Sequence, residues 1–316
     1  MTRRGWALFA AMAVIWGIPY LLIKIAVGEM TPASLVLLRT VIGAALLLPV
    51  AAARGWLAPL VPYWRWVLVY TIVEVSLPWF LLADGERRLS SSLTGLMIAA
   101  VPLIAAVLQL LTRGDDRLDR RRVIGLLVGM IGVAVLVGLN VSFKDLGAVA
   151  EVSLVAIGYA AGPIIIARRL PSLPAVGVVA ASLALTALFY APLAVPQLPR
   201  ALPSGQVLLA VLILAVVCTA LAFVLFFALI GEVGPVRATI ITYFNPAVAL
   251  LLGVAVLHEP FTLGAVVGFS LILAGSVLAT RRTSTSAPAG PAAAPSSSSW
   301  GAVARYRRVR RRRAQG

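Results

Sequence analysis

The sequence predicts an all-α integral membrane protein of ten transmembrane helices, built as two inverted five-helix repeats. Three observations predict it. Of 316 residues, 61% are hydrophobic and only 12% are charged, against about 45–50% and about 25% in soluble domains. The apolar residues fall into ten long runs separated by turn signals. A set of prolines, glycines and charged residues then recurs at a spacing of 143 or 144 residues.

The runs lie near 6–27, 33–53, 66–83, 91–111, 123–141, 148–167, 175–196, 206–230, 236–257 and 261–280. A bilayer-spanning helix needs about 20 mainly apolar residues, whereas a barrel strand needs about 9–11 with polar positions interleaved. The runs are too long and too weakly alternating for strands. Helices also close their own backbone hydrogen bonds, as a lipid interior demands. The first run follows Thr2-Arg3-Arg4 in the manner of a signal peptide. Its apolar stretch is too long for one and lacks an obvious small-x-small cleavage site, so it reads as a retained span. Thr31-Pro32, Pro62, Gly85, Pro171 to Pro174, Pro203 to Gly205 and Gly234-Pro235 punctuate later runs.

Cations orient the bundle. With a cytoplasmic N-terminus the inner loops hold fourteen, from Arg3 and Arg4 through Arg113 to Arg122 to Arg281 and Arg282. The outer loops hold four, Arg87, Arg88, Lys144 and Arg200. Excess Lys and Arg mark the cytoplasmic side, so both termini are expected inside, in a multi-pass protein of the cytoplasmic membrane. Much of the formal charge of +16 belongs to residues 281–316, which are Ser-, Pro-, Ala- and Gly-rich before a run from Arg305 to Arg313. Such a composition cannot bury enough apolar surface to order itself, so a disordered basic cytoplasmic tail is expected. It either attracts anionic lipid headgroups, at about 1 kcal/mol per cation near the surface, or is simply solvated. Nucleic acid is not an expected partner, because no folded binding module accompanies the charge.

The repeat is read from paired positions. Pro19 and Lys24 match Pro163 and Arg168, and Pro102 matches Pro246; Pro49 matches Pro192, Gly125 and Gly132 match Gly268 and Gly275, and Asp116 matches Glu259. The halves are 6–141 and 148–280, each with five spans. Five is odd, so the second copy enters from the opposite side. Inverted repeats are a frequent plan of secondary transporters, with the substrate site at the repeat interface. Prolines in matching spans free backbone carbonyls near mid-membrane, where a protein or water-lined path has to receive them.

These residues resemble a known family. Trp16-Gly17-Ile18-Pro19-Tyr20 with Lys24, then Pro32 with Arg39, resemble the opening of the EamA branch of the drug/metabolite transporter superfamily. Ser92 to Pro102, Asp115-Asp116, Gly125 and Gly132 are similar to the second part of an EamA unit. So are Ala238, Pro246, Leu257-His258-Glu259-Pro260, Gly268 and Gly275. The resemblance covers about 6–280 and implies a ten-span exporter or carrier of small polar metabolites, often amino acids or related compounds. Two departures stand out: Gly114-Asp115-Asp116 replaces the usual Gly-Glu, and span 6 lacks the Trp-Gly pair.

Three ionisable residues fall inside predicted spans: Lys24, Arg39 and Glu74. A charge at the bilayer centre costs a few kcal/mol, so such groups usually face the bundle interior with partners or tasks. Trp16, Tyr20 and Lys24 are four apart and so share one helical face. Arg39 and Lys24 are expected to bind a substrate carboxylate or to balance Glu74, and Glu74 to carry a coupling proton. Competing readings are a Lys24 that snorkels to the headgroups and a static Glu74–Arg39 ion pair. Tyr159, Thr219, Tyr243 and Asn245 are uncharged pathway candidates, each with an ordinary alternative as an interhelical hydrogen bond worth about 0.6 kcal/mol. Trp16, Pro19, Tyr20, Lys24, Arg39, Glu74, Pro102, Tyr159, Tyr243, Asn245 and Pro246 make up the expected transport pathway. Asp116 and Glu259 read instead as helix N-terminal caps.

A secondary carrier fits best, moving a small-molecule substrate. A channel-like facilitator would need a filter or charged-ring sequence, which is not seen. A membrane-embedded enzyme would need a catalytic or metal cluster, and one histidine, His258, with one cysteine, Cys218, does not supply it. Neither catalytic residues, a metal nor a cofactor are therefore expected. No nucleotide-binding G-x-x-x-x-G-K-[ST] occurs, and the sequence permits a homodimer.

Overall fold

The computed structural model describes residues 2–112, 120–234 and 238–280, excluding the side chains of 112 and 239. Expectations for Asp115, Asp116, Pro235, Arg237 and the tail lie outside the described residues. Among those described there are helices and no strand, and ten helical segments are long and apolar enough to cross a membrane. They are span 1 (Arg3–Ala26), span 2 (Pro32–Ala53), span 3 (Ala58–Arg88), span 4 (Ser91–Leu111) and span 5 (Arg120–Asn140). The second half supplies span 6 (Phe143–Arg169), span 7 (Ala175–Gln197), span 8 (Gly205–Val233), span 9 (Ile240–Leu257) and span 10 (Leu263–Thr280). Met130, Leu188, Phe189 and Leu251 are exposed, as lipid-facing side chains are.

The packing partners obey the repeat. Span 2 packs on span 7, span 4 on span 9 and span 5 on span 10, while span 1 packs on span 8 and span 3 on span 6. Exchanging the halves turns this set of pairs into itself, which is what an internal twofold between the repeats requires. Glycines make the span 5–span 10 contact. A Cβ at Gly132 would come within 2.7 Å of the Ile272 nitrogen, and one at Gly125 within 2.6 Å of the Ala279 nitrogen. Between membrane helices, such backbone approach is a main source of attraction because apolar side chains pack as well on lipid. The repeated glycine pairs therefore face one another across the interface.

Departures from regular helix are also paired. Span 3 holds a π-helical turn at Thr71–Ser76 and span 8 one at Val216–Leu221, each bound 145 residues apart. π-turns widen the backbone and are frequent at functional sites. Span 1 breaks between Arg3–Ile15 and Pro19–Ala26, and span 4 between Ser91–Ile98 and Val101–Thr112. Pro246 is the second residue of Asn245–Leu257, after the 3₁₀ turn Thr239–Tyr243. Pro163 differs from expectation: it sits inside the unbroken helix Leu146–Arg169. The position matching Trp16 is Ala160, so the break that carries Trp16 in span 1 has no counterpart in span 6.

Candidate functional site

Arg39 sits on span 2, whose N-terminus is set by Thr31, which accepts a hydrogen bond from the Ser34 amide, with Pro32 in the first turn. The side chain is 7% exposed. Its guanidinium carbon lies 3.6 Å from the centroid of a Trp79 ring on span 3. Its Nε donates to the Thr219 hydroxyl of span 8 at 2.9 Å. Thr219 is in the π-turn and donates in turn to the Leu214 carbonyl at 2.8 Å, which leaves its oxygen lone pairs for Arg39. Tyr159 of span 6 meets Trp79 and stands within electrostatic reach of Arg39. Both repeats therefore contribute to one polar locus.

No described carboxylate forms an ion pair with Arg39. The expected Glu74–Arg39 pair is absent, because the Trp79 ring occupies the guanidinium face and Glu74 turns toward span 6. The Glu74 carboxylate packs where a Cβ at Gly162 would overlap it, and its buried Oε2 has no hydrogen-bond partner. A cation–π contact is worth about 2 kcal/mol when desolvated, and the threonine hydrogen bond about 1.5–3 kcal/mol. Neither neutralises the charge. A buried guanidinium without a counter-ion is suited to receive an anionic group from a ligand.

The other expected residues are spread more widely. Trp16 leaves the face it was expected to share with Tyr20 and Lys24, because it lies in the span 1 break. Its rings meet Phe226 at 4.6 Å and Phe223 at 5.9 Å between centroids. Tyr20 is buried in the core with Cys218 and Ala249, against which Tyr159 also packs. Pro19 and Pro102 start helix halves and do not reach Arg39 through any described hydrogen bond. Asn245 joins span 9 to span 1: with its amide turned so that the nitrogen faces acceptors, it donates to the Ala13 and Ile241 carbonyls, each at 3.0 Å. The Tyr243 hydroxyl is 3.3 Å from that of Thr280 on span 10. Asn245 and Tyr243 thus take the interhelical hydrogen-bonding alternative.

Lys24 neither binds Glu74 nor snorkels free. Its Nζ donates to the carbonyls of Glu86 and Leu89 at 2.6 and 2.7 Å, where orphan carbonyls end span 3 and a cation is favoured. Glu86, which lies beyond the predicted third run, is fully buried, and neither carboxylate oxygen has a partner. The Gly85-Glu86-Arg87-Arg88 stretch read as a turn hid it. Glu259 is a cap, but of a helix in the other repeat. Its Oε1 accepts from the Ser91 amide at 2.7 Å and its Oε2 from the Ser92 amide at 2.8 Å. His258 makes this reach geometrically available. It closes span 9 with φ 55° in the left-handed region, while the Glu259 amide bonds back to the Gly253 carbonyl at 3.1 Å.

The EamA-like transporter family model matches residues 3–138 and 148–281, one copy per repeat. The chain belongs to the EamA-like transporter family. Among its relatives, the uncharacterized transporter YvbV of Bacillus subtilis (strain 168) is 25% identical over 270 residues, spanning 84% of this chain and 88% of YvbV. The uncharacterized inner membrane transporter YedA of Escherichia coli (strain K12) is 30% identical over 253 residues, 78% of this chain and 80% of YedA. A solved crystal structure covering 88% of this chain and 99% of its own shares the fold, with a TM-score of 0.64 and 22% identity. This EamA-like protein is a multi-pass membrane transporter, and its two matched units coincide with the two halves of the packing symmetry.

Proposed function

We propose that the chain is a secondary carrier that exports small polar metabolites, amino acids or related carboxylates, across the cytoplasmic membrane by alternating access, with both termini inside. The observation that carries this reading is Arg39: a buried guanidinium stacked on Trp79, held by Thr219 and lacking an ion-pair partner among the described residues. The substrate carboxylate supplies the missing counter-charge. The substrate then binds where span 2 and span 3 of one repeat meet span 8 of the other, so a change in their mutual tilt is linked to occupancy. The paired π-turns give spans 3 and 8, both of which contact Arg39, the same backbone irregularity.

The test is counterflow in proteoliposomes loaded with a panel of unlabelled amino acids and supplied with each labelled one. A carrier saturates and accelerates exchange. Arg39→Gln removes charge-assisted hydrogen bonds worth about 1.5–3 kcal/mol, so the half-saturation concentration should rise roughly 10- to 150-fold. Arg39→Lys keeps the charge but loses the planar stack and fork, and should fall between. Saturable exchange unchanged in Arg39→Gln would overturn the assignment.

A further inference from the structure

Glu86 has a role that neither the fold nor the substrate site explains. Its carboxyl is fully buried, and neither oxygen finds a hydrogen-bond donor. An ionised carboxylate in that setting bears a desolvation cost of several kcal/mol unless it is paired. A protonated carboxyl bears far less. The groups facing it come from several elements. Lys24 and Tyr20 stand on span 1, Tyr159 on span 6, and Glu259 on the span 9–span 10 turn. On its own span Arg88 is paired with Asp84 and with Glu151 of span 6, and Arg87 with Asp84. Among the described residues Lys24 is the cation acting on Glu86 that is not held by another carboxylate, yet its donors are directed at the backbone carbonyls of Glu86 and Leu89.

We infer that Glu86 is a proton-binding carboxyl of this carrier, and that Lys24 is its counter-charge when the proton leaves. In the arrangement seen, the proton on Glu86 removes the need for a partner and Lys24 holds the end of span 3. When the proton passes to the aqueous phase, the Lys24 side chain turns from the two carbonyls to the carboxylate. The end of span 3 is then released. This end adjoins Ser91 and Ser92, whose amides Glu259 binds, so the proton reports to a junction between the two repeats. Glu74 is the weaker candidate: it has one orphan oxygen rather than two, and no described cation stands beside it.

The inference rests on the carrier reading for its coupling, but proton binding is testable without a substrate. In protein reconstituted into liposomes, infrared difference spectra across an alkaline pH jump should show loss of a protonated-carboxyl carbonyl band. The band should be missing in Glu86→Gln and kept in Glu74→Gln. In Lys24→Met, where no counter-charge exists, it should persist after the same jump. With labelled amino acids as probes, Glu86→Gln should retain counterflow but lose accumulation driven by an imposed pH gradient. A band that survives unchanged in Glu86→Gln, or gradient-driven accumulation that survives in it, overturns the inference. Absence of counterflow for every probe in the unmodified protein would count against the carrier reading, while the infrared result would still decide the fate of Glu86.

Discussion

Replacing Glu259 with alanine removes a contact that joins the turn after span 9 to the start of span 4. Both Ser91 and Ser92 amides then lose an ionised acceptor, held at 2.7 and 2.8 Å. Hydrogen bonds to charged groups are worth about 1.5–3 kcal/mol each, which gives roughly 3–6 kcal/mol if neither amide is re-partnered. Water recovers part of this. A cavity of 470 Å³ lined by Ser92, Asn140, Leu250, Pro260 and Thr262 borders the site. A net loss of about 2–4 kcal/mol follows, or roughly 5–15 °C in melting temperature at about 2–4 °C per kcal/mol. Glu259→Gln keeps an acceptor but not the charge and should lose about half as much. Thermal unfolding of detergent-purified protein, followed by cysteine exposure or aggregation, reads the difference. Glu151→Ala is the control, because its pair with Arg88 is partly exposed at 37% and 22% of side-chain area and such pairs contribute about 0–1 kcal/mol. A Glu259→Ala protein no more labile than Glu151→Ala would refute the assignment of Glu259 as a cross-repeat cap.

Three further outcomes follow from the packing. Gly132→Leu must push span 10 away, since backbone atoms of Ile272 and Gly268 lie within 2.8 Å of the new Cβ; the purified variant should unfold at a lower temperature, by roughly 1–3 kcal/mol or more. Gly162→Ala should displace the Glu74 carboxylate it would overlap, and Glu74→Ala should rescue it. A double-mutant cycle in melting temperature should give a coupling of about 0.5–3 kcal/mol. Glu29, in the turn after span 1, faces Ser204, whose side chain and then its amide, donating at 2.7 Å, hold the Glu29 carboxyl below the ordinary carboxylate value. Its stabilising effect is present at neutral pH and is lost as the pH falls through the lowered value. Glu29→Gln should therefore reduce the melting temperature at pH 7 and have no effect well below about pH 4.

Much of the architecture is legible in residue order because lipid imposes length and apolarity on every span. The structural bounds of spans 2, 4, 5 and 10 lie within a few residues of the apolar runs. The glycine pairs, visible as a spacing, become meaningful once spans 5 and 10 are seen to meet through them. Other features carry no such signal. The π-turns at Thr71–Ser76 and Val216–Leu221 are changes of backbone register within apolar sequence, so composition is silent about them. Trp16 follows helical spacing in the sequence but not in space, since the break at Trp16–Ile18 interrupts the period. Glu86 sits among Gly85, Arg87 and Arg88, whose polarity resembles a loop, although the helix continues through Arg88. Glu259 reads as a cap from its place after span 9, while the identity of the helix it caps depends on tertiary packing across the repeats.

The inverted repeat is tested most directly by membrane topology. Arg54 follows span 2 and Leu202 follows span 7, and both are exposed. Single cysteines at these two positions, in a Cys218→Ser background, should react with a membrane-impermeant thiol reagent from opposite faces, Arg54→Cys from the cytoplasmic side and Leu202→Cys from the outside. Labelling of both from the same face would contradict a second half that crosses the bilayer in the reverse sense.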